Sequence, residues 1–184
     1  AEARVDKVVE TTAKEVKKQQ QKLGEYYYQQ GRVKELKLKY KEAYEAFKQA
    51  VNCQPDNIEY LNSAGLLGGK TADYEQAQQF LNKSLKLATS VYGEDHPDTA
   101  ASYNNLALNL YAQGKYDMAE PFYRKSLDIY QRIFGEDHPY TATSYNNLAS
   151  NLDAQGKYDA AEPYYRKVLN IRQHVLGEDH LYTA

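Results

Sequence analysis

A tandem repeat with a period of 42 residues is the feature that most constrains how this chain can fold. The tetrapeptide GEDH occurs three times at that interval, at Gly93–His96, Gly135–His138 and Gly177–His180. Between 93–134 and 135–176, 30 of the 42 positions are identical. A small unit repeated in tandem buries its apolar residues against its neighbours, so the sequence predicts an array of stacked units.

Each unit is predicted to contain two helices joined by a glycine turn. Apolar and small residues recur with helical spacing from about Asp98 to Ala112, and Gly114 is placed to end that helix in a left-handed conformation. A second helix is predicted from about Tyr116 to Phe134. The whole pattern predicts about eight helices, with hairpins at about 32–55, 56–92, 97–134 and 139–176, followed by the truncated start of a further repeat.

The first 31 residues differ from the repeats and are predicted to form one long helix. No proline interrupts this polar segment, and apolar residues follow a weak spacing of three and four, at Val5, Val9, Thr12, Val16, Gln19, Leu23 and Tyr26. We expect residues 1–31 to act as a degenerate first repeat that caps the array over 32–184. The alternative is that this helix pairs with another chain as a short coiled coil.

Positions that recur in both long units resemble those of the tetratricopeptide repeat. Gly114, Tyr116, Ala119 and Tyr123 match its small and aromatic positions, as do their counterparts one repeat later. The 42-residue spacing, with NNLA, GKYxxAEPxYRK and GEDHP, more closely resembles the kinesin light chain type of this repeat. The resemblance implies an all-α fold, a right-handed superhelix or α-solenoid, and a non-enzymatic scaffold.

The two nearly identical units differ along one face of their first helix. Their substitutions there include 101/143, 108/150 and 111/153, which lie at spacings of three and four from the unchanged Asn104/Asn146 and therefore form one stripe. A variable stripe beside a constant core is typical of a ligand-facing surface, and the family resemblance places it in a concave groove. The predicted ligand-binding residues are Asn62, Ala101, Asn104, Asn105, Leu108, Tyr111, Thr143, Asn146, Asn147, Ser150 and Asp153.

Paired asparagines inside the first helix also need an explanation, because asparagine is a poor helix former. The stretch SYNNLA occurs at Ser102–Ala107 and again at Ser144–Ala149. An asparagine amide offers donors and an acceptor, so a row of them can hold the backbone of an extended peptide. The alternative is a structural ladder between neighbouring repeats. We expect groove contact for Asn104 and Asn146, and leave both interpretations open for the asparagines that follow them.

Other chemical functions find little support in the sequence. The histidines of GEDH lie a full repeat apart without a second ligand nearby, so they are predicted to cap helices or lie in loops rather than bind metal. No nucleophile, phosphate-binding or paired-carboxylate motif is visible, and no cofactor or enzyme activity is predicted. A formal net charge of −2 gives no reason to expect nucleic acid as a partner.

Location and partners follow from the same composition. The single cysteine, Cys53, fits a reducing compartment, and no apolar run is long enough to span a membrane, so we expect a cytoplasmic protein. The leading hypothesis is a protein-interaction module that binds an extended peptide or a partner's segment in its groove. The alternative is a structural or sensor arm of a larger signalling protein that mediates self-association or controls an effector.

Overall fold

The computed structural model describes residues 2–176, with side chains over 4–173, and this part of the chain forms eight α-helices and no strand. The helices are α1 (Glu2–Leu36), α2 (Tyr40–Cys53), α3 (Ile58–Lys70), α4 (Tyr74–Tyr92), α5 (Pro97–Ala112), α6 (Tyr116–Phe134), α7 (Pro139–Ala154) and α8 (Tyr158–Leu176). The all-α helical repeat fold is confirmed. The third GEDH copy and the predicted start of a further repeat lie outside the described residues.

Glycine turns set the helix boundaries within the two long repeats, as predicted. Gly114 and Gly156 have φ angles of 72° and 74°, a region that side chains other than glycine rarely adopt. The amide of Lys115 then donates to the carbonyl of Leu110 at 3.0 Å, which closes the end of α5. Each second helix begins two residues after its turn glycine.

The GEDH loops start the first helices, and their histidines act as N-caps. The Nδ1 atom of His96 accepts a hydrogen bond from the amide of Asp98 at 3.2 Å, and His138 accepts one from Tyr140 at the same distance. A proline follows each histidine at the first helical position, where its missing N–H costs nothing. The predicted capping role is confirmed for these two copies, and His180 lies outside the described residues.

The chain divides into two compact units, Ala1–Phe80 and Leu81–Ala184. In the first unit, α1 continues to Leu36 and does not stop at residue 31. Gly31 is no helix end: a Cβ atom there would lie 2.5 Å from the ring of Phe47 on α2. The glycine therefore permits close packing inside a continuous helix. The predicted boundary between residues 31 and 32 is corrected, and the last part of α1 forms the first hairpin together with α2.

The earlier part of α1 carries no buried side chain over the residues whose side chains are described. Every side chain from residue 4 to residue 22 is exposed, whereas Gly24 and Tyr28 are buried. Tyr28 stacks on Tyr60 of α3 with ring centroids 4.9 Å apart. The capping role of residues 1–31 stays a prediction: the carbonyl of Gln21 accepts a hydrogen bond from Gln54 at 3.3 Å, and residues 13–21 border a cavity beside Cys53–Asn57. The apolar residues of the weak spacing in this segment are exposed, and Val16 among them borders a cavity that Cys53–Asn57 also line.

On α5 and α7, the core of the second unit is built from positions that stay constant between the two long repeats. Leu110, Leu148 and Leu152 are at most 1% exposed and pack in one cluster with buried residues of α6 and α8. Burying each such leucine contributes about 1.5–3 kcal/mol. Because α5 and α7 both use these positions for packing, the substituted stripe must lie elsewhere on each helix.

Candidate functional site

The substituted stripe lies on an accessible face of α5 and α7. On both helices the residues of the stripe are half-buried or exposed, while their neighbours Tyr103, Leu106 and Ala107, and the counterparts of these on α7, are buried. We call this surface the first-helix face. It consists of Ala101, Asn104, Leu108 and Tyr111 on α5, and Thr143, Asn146, Ser150 and Asp153 on α7.

An asparagine ladder links the two helices at this face. The Nδ2 atom of Asn147 donates to Oδ1 of Asn104 at 2.8 Å, and both side chains are half-buried. The structural alternative is therefore realised for this pair, one repeat apart. Each amide keeps further capacity, because an asparagine side chain carries two N–H donors and an acceptor with two lone pairs.

Asn146 and Asn105 occupy a different position from the ladder pair. Both are half-buried, and neither side-chain amide makes a hydrogen bond to another described residue. Asn146 corresponds to Asn104 in the repeat, but only Asn104 accepts the ladder bond. The ladder bond joins Asn104 to the asparagine 43 residues later, and the equivalent position for Asn146 lies outside the described residues.

The remaining members of the face differ in chemistry between α5 and α7. Leu108 and Tyr111 are half-buried and pack partly against the core cluster, and the ring of Tyr111 lies 5.1 Å from that of Tyr116. On α7, Ser150 accepts a hydrogen bond from the hydroxyl of Tyr165 at 3.3 Å, and Asp153 is exposed. The face is therefore apolar and aromatic on α5, and polar with one carboxylate on α7.

Two of the predicted ligand-binding residues, Asn62 and Thr143, have not yet been described. Asn62 lies on α3 in the first unit, where it is half-buried and engaged in a polar interaction. Thr143 lies near the start of α7, exposed, and its hydroxyl donates to the carbonyl of Pro139 at 2.9 Å. The structure brings together the residues of α5 and α7, and Asn62 is described only within its own unit.

Sequence reasoning missed a polar junction between the repeats. Nδ2 of Asn151, which is fully buried, donates to the backbone carbonyl of Tyr116 at 3.1 Å. Gln155 donates to the same carbonyl at 3.4 Å and to Glu120 at 3.1 Å. The recurrence of asparagine at the equivalent positions 109 and 151 is the sequence signal for this junction.

Charges around Glu120 complete this junction. Lys157 lies 3.2 Å and Arg124 2.8 Å from its carboxylate oxygens. Burial raises the pKa of Glu120, but hydrogen bonds from Arg124, Gln155 and Lys157 outweigh this and hold the pKa below its ordinary value. The carboxylate therefore stays charged and ties α6 to the α7–α8 turn, so we assign it a structural role.

A second repeated cluster lies at the GEDH loops. Tyr145 accepts hydrogen bonds from Lys167 at 3.0 Å and from Gln131 at 2.7 Å, and Lys167 also pairs with Glu136 at 2.9 Å. In the preceding repeat, Tyr103 donates to Glu94 at 3.0 Å. The tyrosines, lysines and glutamates of the motif therefore stabilise the repeat.

Metal and membrane chemistry find no support in the residues described. No group of three or more His, Cys, Asp or Glu side chains in 4–173 is placed to hold a metal ion. Over the same part of the chain, no helix has both the length and the apolarity needed to cross a bilayer. The first-helix face presents amides, hydroxyls, a phenol and a carboxylate beside the aliphatic side chains of Ala101 and Leu108.

Comparison with family models identifies the repeat. A model described as the tetratricopeptide repeat matches residues 57–132 and 103–174, and a second model with the same description matches residues 24–57. These matches cover well over half of the chain and include the C-terminal part of α1. No curated protein matches the chain.

Solved structures share this fold at low sequence identity. BtubC (BKLC) from P. vanneervenii has a TM-score of 0.69 at 21% identity, covering 84% of this chain and 62% of that one. A proposed kinesin light chain of Podosopora anserina with nearly identical TPR-like repeats has a TM-score of 0.70 at 19% identity, covering 80% and 74%. The apo form of RapI has a TM-score of 0.68 at 17% identity, covering 84% and 57%. The chain thus spans less than two thirds of BtubC and RapI, and the likeness concerns the fold alone.

Proposed function

Because this chain belongs to the tetratricopeptide repeat family, we propose that it is a non-enzymatic protein-interaction module that binds an extended peptide on the first-helix face. The observation that carries this proposal is the accessible first-helix face, whose half-buried amides lie beside side chains that differ between two nearly identical repeats. An extended peptide has unpaired backbone N–H and C=O groups that such an amide can satisfy. The free thiol of Cys53 is compatible with the reducing cytoplasm, the location we propose.

The different side chains of α5 and α7 predict the direction in which a peptide lies on the first-helix face. Leu108 and Tyr111 of α5 favour an apolar or aromatic side chain, whereas Asp153 of α7 favours a basic one. Packed helices lie about 8–10 Å apart, and an extended peptide advances about 3.3 Å per residue. We therefore expect the preferred peptides to carry these two side chains about three residues apart.

Matched alanine substitutions test the face. Peptides are selected from a library on the wild-type chain, and their dissociation constants are then measured with Asn146→Ala and with Asn170→Ala, an exposed asparagine of α8. Losing one hydrogen bond of about 1 kcal/mol should weaken binding about fivefold in Asn146→Ala. Binding to Asn170→Ala should be unchanged.

Thermal melts separate binding from architecture. Asn146→Ala should melt at or above the wild-type temperature, because alanine is the better helix former. Asn104→Ala should melt lower, since it removes the acceptor of the ladder bond from Asn147. If Asn146→Ala binds every selected peptide with wild-type affinity, the proposal is wrong.

Exchange of the variable residues tests specificity. In the double variant Tyr111→Asp with Asp153→Tyr, the aromatic and acidic groups change places between α5 and α7. Selection from the same library should then return peptides with the apolar and basic positions reversed. An unchanged consensus would show that these side chains do not contact the ligand.

Self-association is the second candidate function, and the exposed part of α1 favours it. The exposed part of α1 shares no residue with the first-helix face, and it presents valines and charged side chains where that face presents amides and hydroxyls.

A further inference from the structure

The first five described turns of α1 carry only exposed side chains, and they approach the rest of the unit at their C-terminal end, where the carbonyl of Gln21 accepts a hydrogen bond from Nε2 of Gln54 at 3.3 Å. All side chains from residue 4 to residue 22 are exposed, and Val5, Val9 and Val16 are 60%, 62% and 50% exposed. At 1.5 Å per residue these 19 residues span about 28 Å. A lone helix of this length is marginal in water, because most helical stability comes from packing of an apolar face. Such a segment is expected to have a partner.

The exposed apolar residues follow the spacing of a coiled-coil seam. Val9, Val16 and Leu23 are seven residues apart, as are Val5, Thr12 and Gln19, and the two series alternate at intervals of three and four. This is the heptad pattern of positions a and d, with β-branched valine at two of the three a positions. Val8, 59% exposed, flanks the seam and widens it.

The charges of the segment indicate which partner fits. Residues 2–10 carry three acidic and two basic side chains, whereas residues 14–22 carry four lysines and one glutamate. One end is therefore slightly acidic and the other is strongly basic. Two copies lying antiparallel place each basic end beside an acidic end, while two parallel copies place the basic ends together.

We propose that residues 5–23 of α1 pair antiparallel with the same residues of a second copy of this chain. In this register Val5 faces Leu23 of the other copy, Val9 faces Gln19, and Thr12 faces Val16. Each layer therefore contains at least one aliphatic side chain, so no layer buries only polar groups. Parallel pairing would instead place Gln19 against Gln19 and Thr12 against Thr12.

The length of the exposed segment fits this arrangement. Buried positions of α1 begin at Gly24, whose added Cβ would lie 3.2 Å from Cβ of Cys53. Antiparallel pairing over 5–23 uses the exposed segment up to that point. It leaves the two folded bodies at opposite ends of the paired helices.

The oligomeric state tests the pairing with a matched pair of variants. Val9→Glu places a charge in the seam, and Thr11→Glu places the same charge two residues away, outside it. Sedimentation equilibrium of the full chain should show a dimer for the wild type and for Thr11→Glu. Val9→Glu should raise the dimer dissociation constant by more than about tenfold, because it buries an unpaired charge. A wild-type monomer across the concentration range, or equal effects of the two variants, would overturn the proposal.

Crosslinking tests the orientation. In a Cys53→Ser background, Val9→Cys and Gln19→Cys are made as separate chains and oxidised alone and as a mixture. Antiparallel pairing predicts a disulfide-linked dimer only in the mixture. Crosslinking of Val9→Cys with itself would indicate parallel pairing and contradict the proposed register.

Two controls keep this inference separate from peptide binding. Circular dichroism of Val9→Glu should retain the melting transition of the repeats, and its affinity for selected peptides should be unchanged. Conversely, Asn146→Ala should remain dimeric. If Asn146→Ala is dimeric and still binds every selected peptide with wild-type affinity, the proposed function is overturned and the pairing still stands.

Discussion

At the scale of single residues, Asn151 is the side chain whose removal should cost most among the asparagines. It is fully buried on α7, and its amide donates to the carbonyl of Tyr116 on α6. Asn151→Ala removes this bond and leaves a small cavity, so we expect the free energy of unfolding to fall by about 1–3 kcal/mol. Urea denaturation measures this change, with the exposed Asn170→Ala as the control. A loss no larger than that of the control would show that Gln155, which shares the carbonyl, holds the junction alone.

The ion pair between Glu136 and Lys167 predicts a pH dependence in the acid range. The hydrogen bond from Lys167 holds the pKa of Glu136 below its ordinary value of 4.5. Stability from this pair is therefore fully present above that value and is lost as the pH falls through the lowered pKa. We expect the melting temperature of the wild type to fall more between pH 6 and pH 3 than that of Glu136→Gln. Parallel curves would show that the exposed pair contributes nothing measurable.

The same pair also affects stability at high pH. Hydrogen bonds to Tyr145 and Glu136 raise the pKa of Lys167 above its ordinary value. Its contribution is present below the ordinary lysine pKa and is lost as the pH rises through the raised one. The pair therefore stabilises the repeat most across the neutral range.

The asparagines show how far residue-scale prediction could reach. Spacing alone placed Asn104 and Asn146 on one stripe of exposed or half-buried residues, and the structure agrees. Spacing could not show that Asn147 bonds to Asn104 or that Asn151 is fully buried. Those facts depend on how α7 lies against α5 and α6, and no single helix encodes that relation.

At the scale of elements, Gly31 predicts a packing effect that can be rescued. A methyl group at this position would meet the Phe47 ring at 2.5 Å, so Gly31→Ala should separate α1 from α2 despite its higher helix propensity. We expect destabilisation by about 1–3 kcal/mol, which is typical of overpacking. Adding Phe47→Leu makes room, so the double variant should be more stable than the sum of the two single changes predicts. If chemical denaturation shows that the two changes in the free energy of unfolding simply add, the predicted clash between residue 31 and the Phe47 ring is wrong.

Glycines also explain which element boundaries the sequence could predict. Gly114 and Gly135 end helices with positive φ angles of 72° and 86°, and the repeated turn motif around them identified both correctly. Gly31 carries no such motif, and its role depends on an aromatic ring sixteen residues away. The end of α1 was therefore misplaced, while the ends of α5 and α6 were predicted to within one residue.

At the scale of the whole molecule, stability is expected to vary along the chain, because each hairpin of a repeat array is stabilised mainly by its neighbours. Tyr123 and Tyr165 occupy equivalent positions on α6 and α8, yet they are 2% and 37% exposed. The difference arises because α7 packs against α6, while no described helix follows α8. The same residue type in the same motif thus stabilises one repeat more than the other.

Hydrogen exchange should show this gradient within the second unit. Opening α8 exposes little further apolar surface at Tyr165, whereas opening α6 exposes Tyr123 and the residues of α5 and α7 that pack around it. In the 184-residue chain, we expect amides of the hairpin Thr141–Leu176 to exchange faster than the corresponding amides of α5 and α6. Because the two repeats share 30 of 42 residues, differences in intrinsic exchange rate are small, and each pair of equivalent amides is its own control. Equal protection would show that the unit opens as one cooperative block, and stronger protection of α8 would contradict nearest-neighbour stabilisation.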